Sequence, residues 1–402
     1  CWRRLVVENG AHNQYYRPLS TWAESMDFSF SEEQNMLQDS VQRFISNSYT
    51  FEERQKLIQT EEGFSRENWS MFAELGWLGL PFSEEDGGFG GTPIETMIML
   101  EEFGKGLVVE PFLPTVILAG RVLADGGSQE MKEGVLAEII AGTKLGALAF
   151  VEPQARFNLA DVTTTATDDE AGFLINGFKG VVIGGPSADL LVVPARTGGE
   201  QKDEDGISLF LVAGDAKGVS RRDYPTIDGL RASEITFENV SVDKGALIGE
   251  LGGGFSLLQK CIDFAILAVG AEAVGAMEVL YKTTVEYCKV REQFGQPIGK
   301  FQVLQHRMVD MFIEHEQSKS LLYMAAMRLD EGYGAAAQKA VSALKVQIGK
   351  GGKFVGQNAV QLHGGMGMTD ELNVGHYFKR LTVIETLFGN VDYHLKKYAS
   401  ID

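Results

Sequence analysis

Residues 291–311 read REQFGQPIGKFQVLQHRMVDM. Arg291 closes one apolar helical pattern, and a second opens after Phe301. Between them Gly295, Pro297 and Gly299 demand a turn, because glycine and proline interrupt a helix. Such a turn can present a guanidinium and free backbone N–H groups to a phosphate. A helix connection with a solvated arginine gives the same pattern, so the stretch needs support from its surroundings.

Upstream, the run from Phe255 to Arg291 is apolar nearly all round, which predicts a central, buried helix. GELGGGFSLL ahead of it reads as a glycine hinge. Before the hinge, short β-rich runs such as GFLINGFKGVVIGG, DLLVVPART, ISLFLVAG and SEITFENVSV alternate with Gly, Asp and Asn. They predict an antiparallel β-domain over 143–250. Residues 26–142 are helical in pattern, opening at Ser31 as N-cap with Leu37, Val41 and Phe44 at helical spacing. Downstream, helices are expected over 300–330, 334–362 and 370–398, inside a helical domain spanning 251–402. QLHGGMGMT, residues 361–369, puts three glycines in four positions. They let a ligand approach the backbone, or simply end a helix. The fold class expected is mostly α with a central antiparallel β-domain. Residues 1–25 differ in character and are expected to be an extension outside the fold.

A chain of 402 residues with 44% hydrophobic content can bury several cores. Its net charge of -19 argues against nucleic acid and against an anionic membrane surface. The three cysteines, Cys1, Cys261 and Cys288, have no C-x-x-C spacing and no nearby His at ligand spacing. No metal site or disulfide framework is expected, and a reducing, cytoplasmic location fits. The AILAVGAEAVGA stretch is too short to span a bilayer and contains Glu272, so no membrane span is expected.

In this order the pieces resemble the acyl-CoA dehydrogenase family over residues 26–398. SEEQNMLQDSVQRF, LGLPFSEEDGGFGG, ITFENVSVDKGALIGELGGGF, REQFGQPIGKFQVLQHRMVDM and QLHGGMGMT carry the likeness. The resemblance implies a helical domain, a β-domain and a second helical domain. It also implies FAD, an acyl-CoA substrate, electron-transfer flavoprotein as electron acceptor, and a tetramer built as a pair of dimers. In the family a carboxylate takes the substrate's α-proton while the β-hydrogen leaves as hydride to the flavin. That base must sit close to its proton in a dry site.

Here the resemblance runs into losses. The family's usual base is a Glu in a Y-E-G-T-type stretch, which aligns with Gly389 in VIETLFGNVDYH, residues 383–394. Asn390 and Val391 follow it. The alternative base position, on the first helix of the last domain, is Ala265. The T-E-P stretch becomes Val151-Glu152-Pro153, and W-I-T becomes Val181-Val182-Ile183, so hydroxyls that would bond a flavin ring are aliphatic. The loop after Pro153, QARFNLAD, is longer than the family's form. By contrast Arg291, Gln293, Phe294, Gln361, Gly364 and Gly365 match residues that grip the pyrophosphate and adenosine of the adjacent subunit's FAD.

That combination resembles the small subunits of heteromeric bacterial acyl-CoA dehydrogenases, of the pimeloyl-CoA and steroid side-chain type. It implies a second acyl-CoA dehydrogenase-like chain, in a dimer or an α2β2 tetramer. Two other readings stay open. One is a self-sufficient dehydrogenase with a relocated base. VIETLFGNVDYH reads as helix, so Asp392 sits one turn after Gly389 and leans towards it, while Glu385 sits one turn before. Asp263 and Glu272 are further candidates. The bland alternatives pair Glu385 with Arg380 and make Glu272 a hydrogen-bonded core acid. The last reading is a scaffold or acyl-CoA-binding subunit without flavin.

Overall fold

The computed structural model describes residues 29–401, so the extension expected over 1–25, with Cys1, lies outside the described residues. The first helix, Glu32–Ser48, starts at a capping box: Ser31 accepts from the Gln34 backbone and the Gln34 side chain accepts from Ser31 N–H. Pro93–Gly106 opens the same way, with Thr92 and Glu95 in a capping box and proline in the first turn. It lies tightly along the Gly254–Val290 helix. A Cβ added to Gly104 would meet the Glu272 carbonyl oxygen at 2.1 Å, and one on Gly275 would meet that of Glu101 at 2.0 Å. Only glycine permits this approach.

Gly254–Val290 is the central element, burying Ala265, Ile266, Leu267, Ala268 and Val269 in succession. By length and composition it is apolar enough to cross a bilayer, which corrects the expectation that no run reaches that length. The reason for its composition is packing: 78% of its apolar window is buried inside the protein.

The middle of the chain is one eight-stranded sheet: β1 (Gly146–Leu148), β2 (Thr165–Asp169), β3 (Gly172–Ile183), β4 (Leu190–Arg196), β5 (Ile207–Ala213), β6 (Val219–Pro225), β7 (Arg231–Asp243) and β8 (Leu247–Ile248). The order is β6-β7-β3-β2-β4-β5-β8, with β1 beside β4. The long ladders, β3–β7, β4–β5 and β6–β7, are antiparallel as expected. β1 instead runs parallel to β4. Beyond β1 the chain turns to β3, where Val151 makes an isolated antiparallel bridge to Val181.

Gln302–Glu331 and Ala335–His363 complete the bundle around the central helix. The single helix expected over 370–398 is in fact two, Asn373–Thr386 and Val391–Ser400. Phe388 (φ 59°) and Gly389 (φ 113°) both stand in the left-handed region, which no helix tolerates. Asn390 then caps the second helix by accepting from Tyr393 N–H at 3.0 Å. The first helix ends on a buried cation. Lys345 Nζ donates to the carbonyls of Ile384 (2.8 Å) and Glu385 (2.9 Å), satisfying groups that a helix C-terminus leaves open. Burial pushes the Lys345 ammonium down to about 7.

Arg380 ties the three layers together. Its guanidinium grips Glu272 with two bonds of 2.6 and 2.7 Å and reaches Asp228, in the β6–β7 turn, at 2.8 Å. All three groups are buried.

Candidate functional site

Gly389 is not an empty position waiting for a side chain. A Cβ there would stand 2.5 Å from Tyr393 Cδ1 and 2.6 Å from His394 Nε2. His394 fills the space from the following helix, its Nε2 2.9 Å from the Phe388 carbonyl, so that nitrogen carries the proton and donates. Burial, with the charges of Lys345 and Lys397 behind it, pushes His394 down to about 3. The ring is therefore neutral, and its role here is structural.

None of the sequence's candidate acids reaches this spot as a free base. Asp392 is exposed in the first turn of Val391–Ser400, because the chain reverses at Phe388 and Gly389 instead of continuing as helix. The expected lean towards Gly389 is thus corrected. Glu385 is half-buried, and Arg380 does not pair with it but with Glu272 and Asp228. Glu272 is the hydrogen-bonded core acid that the bland reading expected. Asp263 is buried between Lys397 Nζ (2.7 Å) and Tyr333 Oη (2.8 Å). Ala265, the other base position, is fully buried in the core.

Beside Gly389 lies a cavity of about 180 Å³, walled by Phe150, Val151, Val181, Ile183, Phe388 and Tyr393 among others. The three positions flagged for flavin contact therefore do converge, with Gly180 N–H donating to Val151 O at 2.8 Å. Their side chains offer only methyl groups. Aromatic rings crowd the same space: Phe150 stacks on Phe388 with centroids 6.1 Å apart. Phe157, from the lengthened loop, meets Tyr393 at 5.6 Å.

That loop is anchored by Glu152. The carboxylate accepts from Lys179 Nζ at 2.7 Å, from Thr163 N–H at 2.8 Å, from Thr164 N–H at 3.1 Å and from the Thr163 hydroxyl. Burial alone would raise Glu152, but the Lys179 ammonium and these donors hold it down to about 2. Burial pushes Lys179 the other way. With a carboxylate at 2.7 Å and the Pro194 carbonyl at 2.8 Å, the pair is ionised. Sequence reading passed over Glu152, Lys179, Phe157, Phe388 and His394. The one available signal was the length of QARFNLAD.

The second cluster faces outward. Residues 292–297 form a small hairpin, Glu292–Gln293 against Gln296–Pro297. Phe294 (φ 56°) and Gly295 (φ 79°) make its turn, as a two-residue hairpin requires. Phe294 is 91% exposed. Arg291 caps the central helix, exposed, and its guanidinium has no partner among the described residues. Gln293 Nε2 turns back to the Glu292 carbonyl at 2.8 Å. Tyr287 stacks on His363 at 4.3 Å, joining the end that carries Arg291 to the end that carries Gln361. Gln361, Gly364 and Gly365 are exposed, and a Cβ added to either glycine would find no atom within 4 Å. A free guanidinium and open backbone suit an anion that arrives from outside this chain.

Models of the acyl-CoA dehydrogenase N-terminal, middle and C-terminal domains match residues 31–143, 147–240 and 252–400. The chain is 31% identical over 378 residues to the short-chain-specific acyl-CoA dehydrogenase of Clostridium acetobutylicum, covering 90% of this chain and 96% of that protein. The chain belongs to the acyl-CoA dehydrogenase family. Its members are FAD-dependent oxidoreductases acting on CH–CH bonds. Among solved structures, the FAD complex of PigA superposes with a TM-score of 0.87 at 27% identity, covering 93% of this chain and 98% of that one. The ChsE4-ChsE5 complex from Mycobacterium tuberculosis gives 0.84 at 27% identity, again over 93% and 98%. Against the family's cofactor the two clusters differ. The walls beside Gly389 give a flavin ring no side-chain donor at Val151, Val181 or Ile183. The outer cluster fits a pyrophosphate.

Proposed function

We propose that this chain is a half-site subunit of an FAD-dependent acyl-CoA dehydrogenase. It lends Arg291, Gln293, Phe294, Gln361, Gly364 and Gly365 to the FAD of a second acyl-CoA dehydrogenase-like chain. That partner supplies the carboxylate base and the flavin-ring contacts. One observation carries the reading: the base position is filled by His394 and Tyr393, while the Arg291 guanidinium is left free at the surface. The likeness to the ChsE4-ChsE5 complex supports a hetero-oligomer.

FAD supplies the hydride acceptor when bound, in α,β-dehydrogenation of an acyl-CoA thioester. This chain's part is to bind and orient. Arg291 would neutralise pyrophosphate charge, the open glycine backbone at 364–365 would let the nucleotide approach, and the exposed Phe294 would add apolar contact. Electron-transfer flavoprotein is the proposed acceptor, in line with the caffeyl-CoA reductase-Etf complex subunit among the relatives.

The test is Arg291→Ala and Gln361→Ala in the chain co-purified with its partner. Both changes should lower bound FAD. Arg291→Ala should be the larger, because a charge-assisted bond is worth about 1.5–3 kcal/mol against about 0.5–1.5 for a neutral one. Unchanged flavin content in both variants refutes the shared site.

A further inference from the structure

The cavity beside Gly389 is walled mainly by apolar groups, with Leu118 and Ile262 at its inner side and Phe150 and Phe388 across from them. Its volume is about 180 Å³. An apolar cavity of about 150 Å³ holds benzene, so a tail of about six carbons, or one aryl ring, fills a space of this size.

Two cations border this apolar space, Lys397 and Arg156. Lys397 is committed to Asp263 at 2.7 Å. Arg156 makes no hydrogen bond or ion pair with any described residue. It also stands at φ 51°, a conformation that side chains other than glycine avoid. The turn that holds it there is fastened by the buried Glu152–Lys179 pair, with Ala155 N–H donating to Glu152 O at 3.1 Å. A loop fastened at its base thus places an exposed, unpaired guanidinium at the edge of a pocket with no other use in the proposed function.

We propose that this pocket is a binding site for an apolar organic acid, a monocarboxylate whose tail fills the cavity and whose head is held by Arg156. A guanidinium fork matches a carboxylate geometrically and electrostatically. A few placed polar groups on an apolar pocket are the usual recipe for a small-molecule site. The head group distinguishes this ligand from an acyl-CoA, whose thioester carbonyl carries no charge. The acid is bound and not transformed, since no free base faces the cavity. The inference rests on the half-site reading only in taking the pocket as free of a flavin ring.

Calorimetric titration of the full chain with heptanoate, heptan-1-ol and acetate tests it. Heptanoate should saturate one site per chain and bind at least tenfold more tightly than either control. Arg156→Gln, a surface change that leaves the core intact, should weaken heptanoate about tenfold or more and leave heptan-1-ol unchanged. Heptanoate binding no tighter than heptan-1-ol, or binding indifferent to Arg156→Gln, overturns the proposal whatever the protein's colour. A stoichiometrically yellow lone chain overturns the half-site reading, whatever acid it binds.

Discussion

At the scale of single residues, glycine at 389 is a requirement of the surrounding packing. With φ at 113° and His394 Nε2 2.6 Å from any added Cβ, a side chain costs both strain and a displaced neighbour. Gly389→Glu, which restores the family's base in sequence, should therefore give no dehydrogenase activity and lower stability by about 1–3 kcal/mol or more. Urea unfolding and a turnover assay check both halves. Asp392→Asn and Glu385→Gln should leave turnover of the assembled enzyme largely intact, because neither acid faces the cavity as a free base. Loss of turnover in Asp392→Asn with normal assembly and FAD content would favour a relocated base. His394 gives a pH signature. Its native pKa is depressed to about 3, while the unfolded chain takes up the proton near about 6.5. The stability that a neutral His394 preserves is present above that value and is lost as pH falls towards 3. His394→Gln lacks this contribution. Its urea midpoint should fall less than the wild type's between pH 6.5 and pH 4; equal slopes would show that His394 does not titrate as argued.

At the scale of elements, the sequence was legible where packing follows periodicity. The helices at Gly254–Val290, Gln302–Glu331 and Ala335–His363 follow apolar spacing, and the β-rich runs became the sheet. The break at Leu387–Asn390 was not legible. Val383, Ile384 and Leu387 continue a helical pattern, and the left-handed Phe388 packs its ring on Phe150, a residue just beyond β1 and far away in sequence. The loop after Pro153 was visible as extra length, but its fastening was not. Glu152 and Lys179 lie 27 positions apart in the sequence, and burial makes them partners. Glu152→Ala strands Lys179 without a counter-charge in the core. Breaking a buried pair this way should cost about 3–5 kcal/mol. Hydrogen exchange over residues 153–163 should rise with it. A variant as stable as the wild type, with an unchanged exchange profile, would mean the loop is held by something else.

At the scale of the whole molecule, the order of motifs was enough to place the chain in its family. It also predicts a retained outer cluster and a degraded inner one, the split on which the proposed function rests. What the sequence did not show is how the base position is filled and the remaining cavity walled. Phe157, Phe388, Tyr393 and His394 come from two segments that meet only in the folded protein. The Arg380–Glu272–Asp228 network likewise joins three separated stretches that no spacing rule connects. The outer cluster, by contrast, sits on two helix ends and a hairpin, where local sequence sets local shape. This asymmetry is the basis of the central claim: the chain gives contacts to a neighbour's flavin and keeps none for a ring of its own. Flavin stoichiometry tests it most directly. The purified lone chain, and the same chain co-purified with its partner, are denatured and their released FAD is counted by absorbance. The account predicts a nearly colourless lone chain, a complex carrying one FAD for each partner chain, and turnover only in the complex. One FAD per lone chain, with steady acyl-CoA oxidation, would contradict it.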